Sequence, residues 1–139
     1  MTQIEQIRPE LTWRLRQQVL YPAQKLYEME LDEDNEGVHF GAFTEDKLVG
    51  IISLFQHGES FQFRKLAVLP EFQKKGIGNS LLNRVEEFAG SEGGAKIWCN
   101  ARVSAIGFYI KDGYEHTGQL FSKNGFDYEI LEKGIKKPV

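Results

Sequence analysis

Two glycines near the middle of the chain, Gly76 and Gly78, constrain the fold more than any other feature of the sequence. They lie where a β-like apolar run, residues 61–69, gives way to a run with helical spacing that begins at Ile77. Because glycine has no Cβ atom, the main chain at such a junction can approach a ligand closely. The loop N–H groups and the positive end of the following helix would then converge, which predicts a phosphate-binding cradle.

The segment after the glycines predicts an amphipathic helix. Apolar residues recur three and four positions apart, and polar residues fall on the opposite side. The apolar positions are Ile77, Leu81, Leu82, Val85, Phe88 and Ala89. A run of breakers at 90–94, Gly-Ser-Glu-Gly-Gly, predicts a helix C-cap followed by a loop.

Two other glycine-loop motifs do not match this sequence. The dinucleotide pattern G-x-G-x-x-G requires a third glycine where the chain has Leu81, and the nucleotide P-loop requires a Gly-Lys-Ser or Gly-Lys-Thr that the chain lacks. What remains is Q-x-x-G-x-G, beginning at Gln73. The alternative to a ligand cradle is a tight turn that binds nothing.

The Q-x-x-G-x-G pattern resembles the cradle for the coenzyme A pyrophosphate in the GNAT superfamily of N-acetyltransferases. A second block, residues 100–114, resembles the next helix of that superfamily, which closes on F-Y-x-x-x-G-[FY]. The two blocks have the expected separation, and the order of elements around them is similar over nearly the whole chain. The resemblance implies acetyl-CoA as co-substrate and transfer of its acetyl group to a primary amine by direct attack on the thioester.

We expect one GNAT-like α/β domain over residues 1–139, a size that can bury a substantial core. The strand-helix-strand unit around the glycines predicts one parallel pair of strands in a mostly antiparallel mixed sheet. The resemblance implies that this central pair splays apart and that helices cover both faces. Strands are predicted at 4–8, 38–43, 48–55, 61–69, 95–99, 114–121 and 126–132, and helices at 9–21, 77–89 and 102–112, with a short helix after residue 22.

The resemblance also implies a set of contacts with the coenzyme. Main-chain N–H groups on the strand before the cradle would serve the thioester carbonyl, and the cradle and the next helix would supply the remaining contacts. The implied residues are Leu66, Ala67, Val68, Gln73, Lys74, Lys75, Gly76, Ile77, Gly78, Asn79, Ser80, Asn100, Phe108 and Lys111. Local alternatives exist for Ser80 and Asn100, which could cap helices, and for one of the two lysines, which could face solvent.

Tyr109 occupies the superfamily position whose hydroxyl commonly protonates the departing thiolate, and we assign it that role. A phenol is protonated at neutral pH and can donate a proton, although a packed core tyrosine is the alternative. The position of a general base in some superfamily members falls at Gln62, which cannot accept a proton. The candidates Glu59, His57 and His39 have no assigned place, and a chain of water molecules could serve instead.

Residues 28–36 contain six acidic side chains in nine positions. The location of this segment, after the first helices and before the second strand, matches the acceptor-binding region of the superfamily. We therefore predict that Asp32, Asp34 and Glu36 attract a cationic amine. The alternative is an ordinary solvated loop, because charge runs are usually surface features.

Other features of the sequence limit the partners. The net charge of −3 argues against nucleic acid, no apolar run approaches the length of a membrane span, and the start of the chain lacks a signal-peptide pattern. A single cysteine, Cys99, agrees with a reducing, cytoplasmic location and fits a small buried hydrophobe. The three histidines lack a metal-ligand spacing, so we expect no metal. The terminal hairpin offers an edge for a symmetric homodimer.

Two other functions stay open at this point. The first is a non-catalytic acyl-CoA-binding sensor or interaction domain that kept the cradle and lost the acceptor chemistry, which Gln62 at the base position would suit. The second is a purely structural interaction module without affinity for the coenzyme. Tyr109 favours the enzyme.

Overall fold

The computed structural model describes residues 2–135, in which seven strands and three α-helices are present. The strands are β1 (Thr2–Ile7), β2 (Val38–Thr44), β3 (Lys47–His57), β4 (Ser60–Val68), β5 (Lys96–Arg102), β6 (Glu115–Lys123) and β7 (Phe126–Gly134). The α-helices are α1 (Trp13–Leu15), α2 (Ile77–Ser91) and α3 (Ile106–Lys111). Short 3₁₀ segments cover Pro9–Thr12, Leu26–Met29, Asp34–Glu36, Pro70–Phe72 and Val103–Ala105, and a π-helical turn covers Arg16–Leu20.

The strands form one mixed sheet in the order β1-β2-β3-β4-β5-β7-β6. Strand β4 pairs in parallel with β5, whereas β1 with β2, β2 with β3, β5 with β7 and β6 with β7 are antiparallel. The parallel register covers only three residue pairs, from Ser60↔Lys96 to Gln62↔Trp98. The mixed, mostly antiparallel sheet with one parallel pair confirms the predicted fold class.

Contacts between residues divide the chain into two compact units. Unit 1 runs up to Phe55 and includes Phe63–Glu87, and unit 2 comprises Gln56–Gln62 and the chain from Phe88 onward.

Unit 1 contains the glycine cradle and a hydrophobic core. Leu15, Ile51 and Ala67 are buried together at its centre. The predicted apolar face of α2 is buried as well, with Leu81, Leu82 and Val85 at 0% exposure. Gly50 on β3 allows α2 to lie close, since a Cβ atom there would stand only 3.1 Å from Leu81 Cδ1.

Unit 2 contains the end of α2 and the terminal hairpin. The breaker run at the helix end forms a Schellman motif, in which Gly93 has φ +80° and Gly94 N–H donates to Ala89 O at 2.8 Å. The hairpin between β6 and β7 turns at Asn124 and Gly125, both with positive φ (52° and 81°). This turn confirms the prediction made from the Asn-Gly pair.

Several predicted boundaries were wrong. The first helix is not a regular α-helix to Pro22, because it passes from 3₁₀ through α1 into the π-helical turn and ends at Leu20. Strand β5 extends to Arg102, so that Asn100 lies inside a strand and the alternative that this residue caps a helix is wrong. The helix predicted from residue 102 begins as a 3₁₀ turn and becomes α3 only at Ile106.

In the part of the chain that the structure describes, none of the helices is both long and apolar enough to cross a membrane.

Candidate functional site

The cradle is built from main-chain conformation at the start of α2. Lys74 and Gly76 both have positive φ values, 62° and 84°, so the loop turns sharply before the helix begins. A Cβ atom at Gly76 would meet nothing within 4 Å, which leaves open space beside the backbone. The first α-helical hydrogen bond is Ser80 N–H to Gly76 O at 3.0 Å. The amides of Ile77, Gly78 and Asn79 precede that bond, so they lack intrahelical acceptors and suit an anion.

Two side chains in the cradle have local structural partners. Gln73 Nε2 donates to Val68 O at 2.9 Å and thereby fastens the loop to the end of β4. Ser80 Oγ donates to Gly76 O at 3.0 Å, which is the local capping alternative noted from the sequence. Lys74 and Lys75 are exposed, and the Lys75 ammonium lies 5.5 Å from the ring centroid of Phe72. The fit of the loop to a pyrophosphate therefore rests on the main chain, with two lysines available at its rim.

Strand β4 carries an irregularity just before the predicted thioester-binding residues Leu66–Val68. Lys65 has φ +59°, a left-handed conformation that non-glycine residues rarely adopt and that costs about 1–2 kcal/mol. Such residues interrupt the regular alternation of a strand and re-aim neighbouring groups, as at β-bulges. Ala67 is buried, whereas Leu66 and Val68 are partly buried. The irregularity directly precedes the residues whose N–H groups the family resemblance assigns to the carbonyl oxygen.

The Lys65 side chain lies against Tyr21, at the end of the π-helical turn. Its Nζ donates to the Tyr21 hydroxyl at 2.6 Å and stands 4.5 Å from the ring centroid. Tyr21 itself is held by its N–H, which donates to Arg16 O and Gln17 O at 3.1 and 3.2 Å. Burial lowers the pKa of Lys65, and the hydrogen bond with Tyr21 opposes this effect in part.

Asp34, one of the three predicted acceptor-binding acids, is buried at 2% exposure. Its carboxylate accepts from both terminal nitrogens of the fully buried Arg16, at 2.8 and 2.9 Å. Trp13 Nε1 and Leu31 N–H donate to the same carboxylate at 3.2 and 3.0 Å. Burial pushes the pKa of Asp34 upward, but the hydrogen bonds from Arg16 and Leu31 outweigh it and hold the pKa below its usual value. Asp34 therefore anchors the acidic segment, and its charge is neutralised by Arg16.

A chain of hydrogen bonds continues from Arg16 to His39. Arg16 Nη2 donates to Ser53 Oγ at 2.9 Å, Ser53 Oγ lies 2.7 Å from His39 Nδ1, and His39 Nε2 lies 2.8 Å from Asp34 O. A carbonyl can only accept, so Nε2 carries the proton and Nδ1 accepts from Ser53. Burial lowers the pKa of His39, which agrees with this neutral tautomer. His39 is fully enclosed and is therefore a poor candidate for the general base.

The other acids of the segment differ from Asp34. Glu33 pairs with Arg64 of β4 at 2.5 Å, with both side chains partly exposed. Asp32 and Glu36 are exposed. Of the predicted acceptor residues, these two remain available to attract a cation.

Tyr109, the predicted acid, lies in α3 of unit 2. Its ring makes edge contacts with Phe108 and Tyr114, at centroid distances of 5.2 and 6.1 Å. Burial raises the pKa of Tyr109, nearby Cys99 adds to the increase, and Arg102 opposes it. The phenol therefore stays protonated through the neutral range, as a hydrogen-bond or proton donor must.

The remaining predicted residues of unit 2 are placed as follows. Asn100 is exposed on β5, opposite Ile130 of β7. Phe108 is 36% exposed and Lys111 is exposed, both on α3. Gln62, at the base position, is buried on β4 opposite Trp98, whereas Glu59 and His57 are exposed. Cys99 is buried, as expected, and burial raises the pKa of its thiol to about 12.

The sequence interpretation missed four side chains of unit 1: Arg16, Tyr21, Ser53 and Lys65. Arg16 and Tyr21 were hidden because the π-helical turn shifts the helical spacing by one residue. Ser53 occurs inside an apolar run and has no pattern of its own. Lys65 did carry a signal, because it occupies a position between Phe63 and Ala67 that alternation assigns to the buried face.

The chain matches the family model of the acetyltransferase (GNAT) domain over residues 5–133. It is 28% identical over 140 residues to the uncharacterized N-acetyltransferase YitI of Bacillus subtilis strain 168, covering 94% of each chain. A second relative, an uncharacterized N-acetyltransferase of Bacillus pumilus, is 32% identical over 96 residues, covering 61% of this chain and 57% of the relative.

Solved structures show the same fold at low identity. An aminoglycoside 6′-N-acetyltransferase in complex with coenzyme A matches with a TM-score of 0.82 and 19% identity, covering 99% of both chains. The ribosomal-protein-S18-alanine N-acetyltransferase of Escherichia coli matches with a TM-score of 0.80 and 17% identity, covering 100% of this chain and 97% of that one. The family model matches nearly the whole chain, and the chain therefore belongs to the GNAT family of acetyltransferases, whose acetyl donor is acetyl-CoA.

Proposed function

We propose that this protein transfers the acetyl group of acetyl-CoA to a primary amine that attacks the thioester directly. The observation that carries the proposal is the cradle at the start of α2. Gly76 has φ +84° with open space beside its α-carbon, and three helix-end amides precede the first helical hydrogen bond. This arrangement suits a pyrophosphate, because the partial positive charge of a helix N-terminus and its N–H groups favour an anion.

In the proposed reaction the amine nitrogen forms a bond to the acetyl carbon and the carbon–sulfur bond breaks. The electron pair of that bond leaves with the sulfur, and the nitrogen loses one proton. We assign the N–H groups of Leu66–Val68 to the carbonyl oxygen, which gains negative charge during the attack. Tyr109 is assigned to the departing sulfur, to which the protonated phenol can donate a hydrogen bond; burial raises its pKa and thus makes complete proton transfer to the thiolate less favourable.

No side chain is assigned as the general base. Gln62 cannot take a proton, and His39 is enclosed between Ser53 and Asp34. Removing a proton from a lysine-like amine at neutral pH costs about 4–5 kcal/mol, whereas the α-amino group of a peptide costs only about 1 kcal/mol. The cost of deprotonation therefore depends on the class of amine, and water is assigned to take the proton.

Thiol release from acetyl-CoA in the presence of a panel of amines tests the proposal. Turnover with at least one amine, together with its acetylated product by mass spectrometry, is the expected result. Binding of coenzyme A in a calorimeter without thiol release for any amine would instead support a non-catalytic sensor, and the absence of binding would contradict the cradle itself.

The tyrosine assignment has its own test. Tyr109→Phe keeps the ring contacts and removes the proton donor, so we expect kcat to fall by about 100-fold with little change in coenzyme affinity. Tyr128→Phe, which removes a hydroxyl group from a tyrosine of β7 that has no assigned role, is the comparison variant. Full turnover in Tyr109→Phe would remove the tyrosine from the mechanism.

The homodimer through the β6 edge and the cytoplasmic location stay predictions. Strand β6 is largely exposed and ends the sheet, which is the feature on which the dimer prediction depends.

A further inference from the structure

Three cationic side chains of unit 1, Arg16, Arg64 and Lys65, are partly or fully buried near the acidic segment. Two of them form ion pairs with carboxylates of that segment. Arg16 pairs with Asp34, and Arg64 pairs with Glu33. Lys65 is half-buried and contacts the hydroxyl and ring of Tyr21, which supply no negative charge. Lys65 takes part in none of the ion pairs among residues 2–135. One positive charge is therefore left without a counter-charge.

An uncompensated charge in a half-buried position is costly, and proteins normally pair such a charge or expose it. The charged neighbours make the imbalance larger, since Arg64 and Arg16 both act to lower the pKa of Lys65. The main chain at Lys65 is strained as well, with φ +59°. Strain and unpaired charge at the same residue are features found at binding sites, where a ligand supplies the missing interaction.

The position of Lys65 indicates which ligand supplies it. Lys65 directly precedes Leu66, which is the first residue assigned to the thioester carbonyl. The α-carbons of these two residues therefore lie about 3.8 Å apart. Glu33, which pairs with the neighbouring Arg64, belongs to the acidic segment assigned to the acceptor, and Tyr21, which contacts Lys65, precedes that segment in the chain. The coenzyme pyrophosphate is assigned to the cradle at Gly76, eleven positions further along the chain.

We propose that Lys65, positioned by Tyr21, binds a carboxylate of the acceptor, so that the substrate class is an amine with a carboxylate a few bonds away, such as an amino acid. This inference rests on the proposed acetyl transfer and narrows its acceptor. The exposed acids Asp32 and Glu36 can attract the ammonium end of such a zwitterion while Lys65 takes the carboxylate end.

Matched acceptors test the proposal. The thiol-release assay is run with a series of amino acids, with their carboxamides and with the corresponding decarboxylated amines. We expect the amino acid to have a KM lower by about tenfold than either analogue, because a charge-assisted hydrogen bond contributes on this order. The carboxamide is a stringent control, since its amine is intrinsically easier to deprotonate than that of the amino acid. Equal KM values throughout the series would overturn the proposal.

Variants at Lys65 identify the residue that recognises the carboxylate. Lys65→Met should abolish the preference for the amino acid, Lys65→Arg should retain it, and Tyr21→Phe should weaken it by a few-fold. Lys65→Met should also leave the thermal stability unchanged or raise it, because an uncompensated charge is removed. A large loss of stability in Lys65→Met, with the acceptor preference intact, would show that Lys65 is structural and would overturn the proposal.

A binding measurement separates this inference from the proposed enzyme activity. N-acetylglycine and N-acetylglycinamide, which resemble products, are titrated into the protein with coenzyme A present and observed by the NMR signal of the Lys65 ammonium group. We expect a shift with N-acetylglycine that N-acetylglycinamide does not cause. That result without thiol release would contradict the proposed transfer but support carboxylate binding, whereas thiol release without any carboxylate preference would support transfer and overturn the inference.

Discussion

The cradle and the acidic segment of unit 1 illustrate two ways of building a charged site. The cradle at residues 73–80 uses main-chain N–H groups and two left-handed residues, with exposed lysines at its rim. The acidic segment at residues 28–36 is instead stabilised by a buried ion pair between Arg16 and Asp34. The first depends on local backbone geometry, and the second depends on partners 18 residues apart in the chain. Their responses to mutation should therefore differ in kind.

The largest effect is expected at the buried pair. Asp34→Asn keeps the shape of the side chain but leaves the Arg16 charge without its partner, so the free energy of unfolding should fall by about 3–5 kcal/mol. Chemical denaturation measures this change. Glu33→Gln is the matched control, since it breaks a partly exposed pair with Arg64 and should cost less than about 1 kcal/mol. Equal losses in the two variants would mean that burial does not distinguish the two ion pairs.

At the cradle a single charge should act on binding rather than on stability. Gly78→Asp places a carboxylate in the first turn of α2, where the coenzyme phosphates are proposed to bind, and we expect coenzyme A affinity to fall by about 100-fold. Calorimetric titration measures the affinity. Asn83→Asp adds the same charge to an exposed position further along α2 and should change the affinity little. If both variants bind coenzyme A like the wild type, the cradle assignment is wrong.

These two regions also differ in how far the sequence predicts them. The start of α2 was predictable because glycine spacing and helical periodicity are local signals, and the structure places it at Ile77 as expected. The buried network was not, because Arg16, Ser53 and His39 come together only through the sheet and the π-helical turn. The acidic segment was recognised as a charge run, but nothing local distinguishes buried Asp34 from exposed Asp32 and Glu36.

The same limit explains the errors in the fold. The order and type of the strands followed from alternation and turn residues, and the Asn124-Gly125 hairpin followed from its preference for positive φ. Strand ends were harder, because pairing with a neighbour extends a strand beyond its apolar residues. Strand β5, for example, continues through Asn100 to Arg102 because each of these residues has a partner on β7.

Lowering the pH should reduce the stability of the folded protein first through His39, and only at lower pH through Asp34. His39 is held neutral, so the unfolded chain takes up a proton below its ordinary pKa of 6.5 and the folded protein does not. Stability is therefore complete above pH 6.5 and is lost as the pH falls, by at most about 1.4 kcal/mol per pH unit for this one group.

The measurement is the free energy of unfolding of the wild type and of His39→Gln between about pH 7 and pH 5, a range that begins above the ordinary histidine pKa. His57 and His116 are common to both proteins, so the difference in slope isolates His39. The corresponding loss from Asp34, whose pKa is also lowered, begins only near its ordinary value of 3.8. Parallel slopes for the two proteins would contradict the neutral, buried state of His39.

The smallest effect is expected from the exposed acids. The double change Asp32→Asn with Glu36→Gln should raise KM for a cationic amine by about twofold at low salt, and the difference should vanish at high salt because exposed charges are screened. Glu5→Gln with Glu92→Gln alters two other exposed acids and the net charge equally. An identical KM for the two double variants would remove Asp32 and Glu36 from the acceptor site.

The environment of Cys99 has a practical consequence for detecting turnover. It is the only cysteine of the chain, it is 2% exposed, and the pKa of its thiol is about 12. Because only the thiolate reacts readily with disulfide reagents such as dithionitrobenzoate, the folded protein should contribute almost no background colour in such an assay. Continuous colorimetric recording can therefore use high enzyme concentrations, which allows even very slow acceptors to be scored.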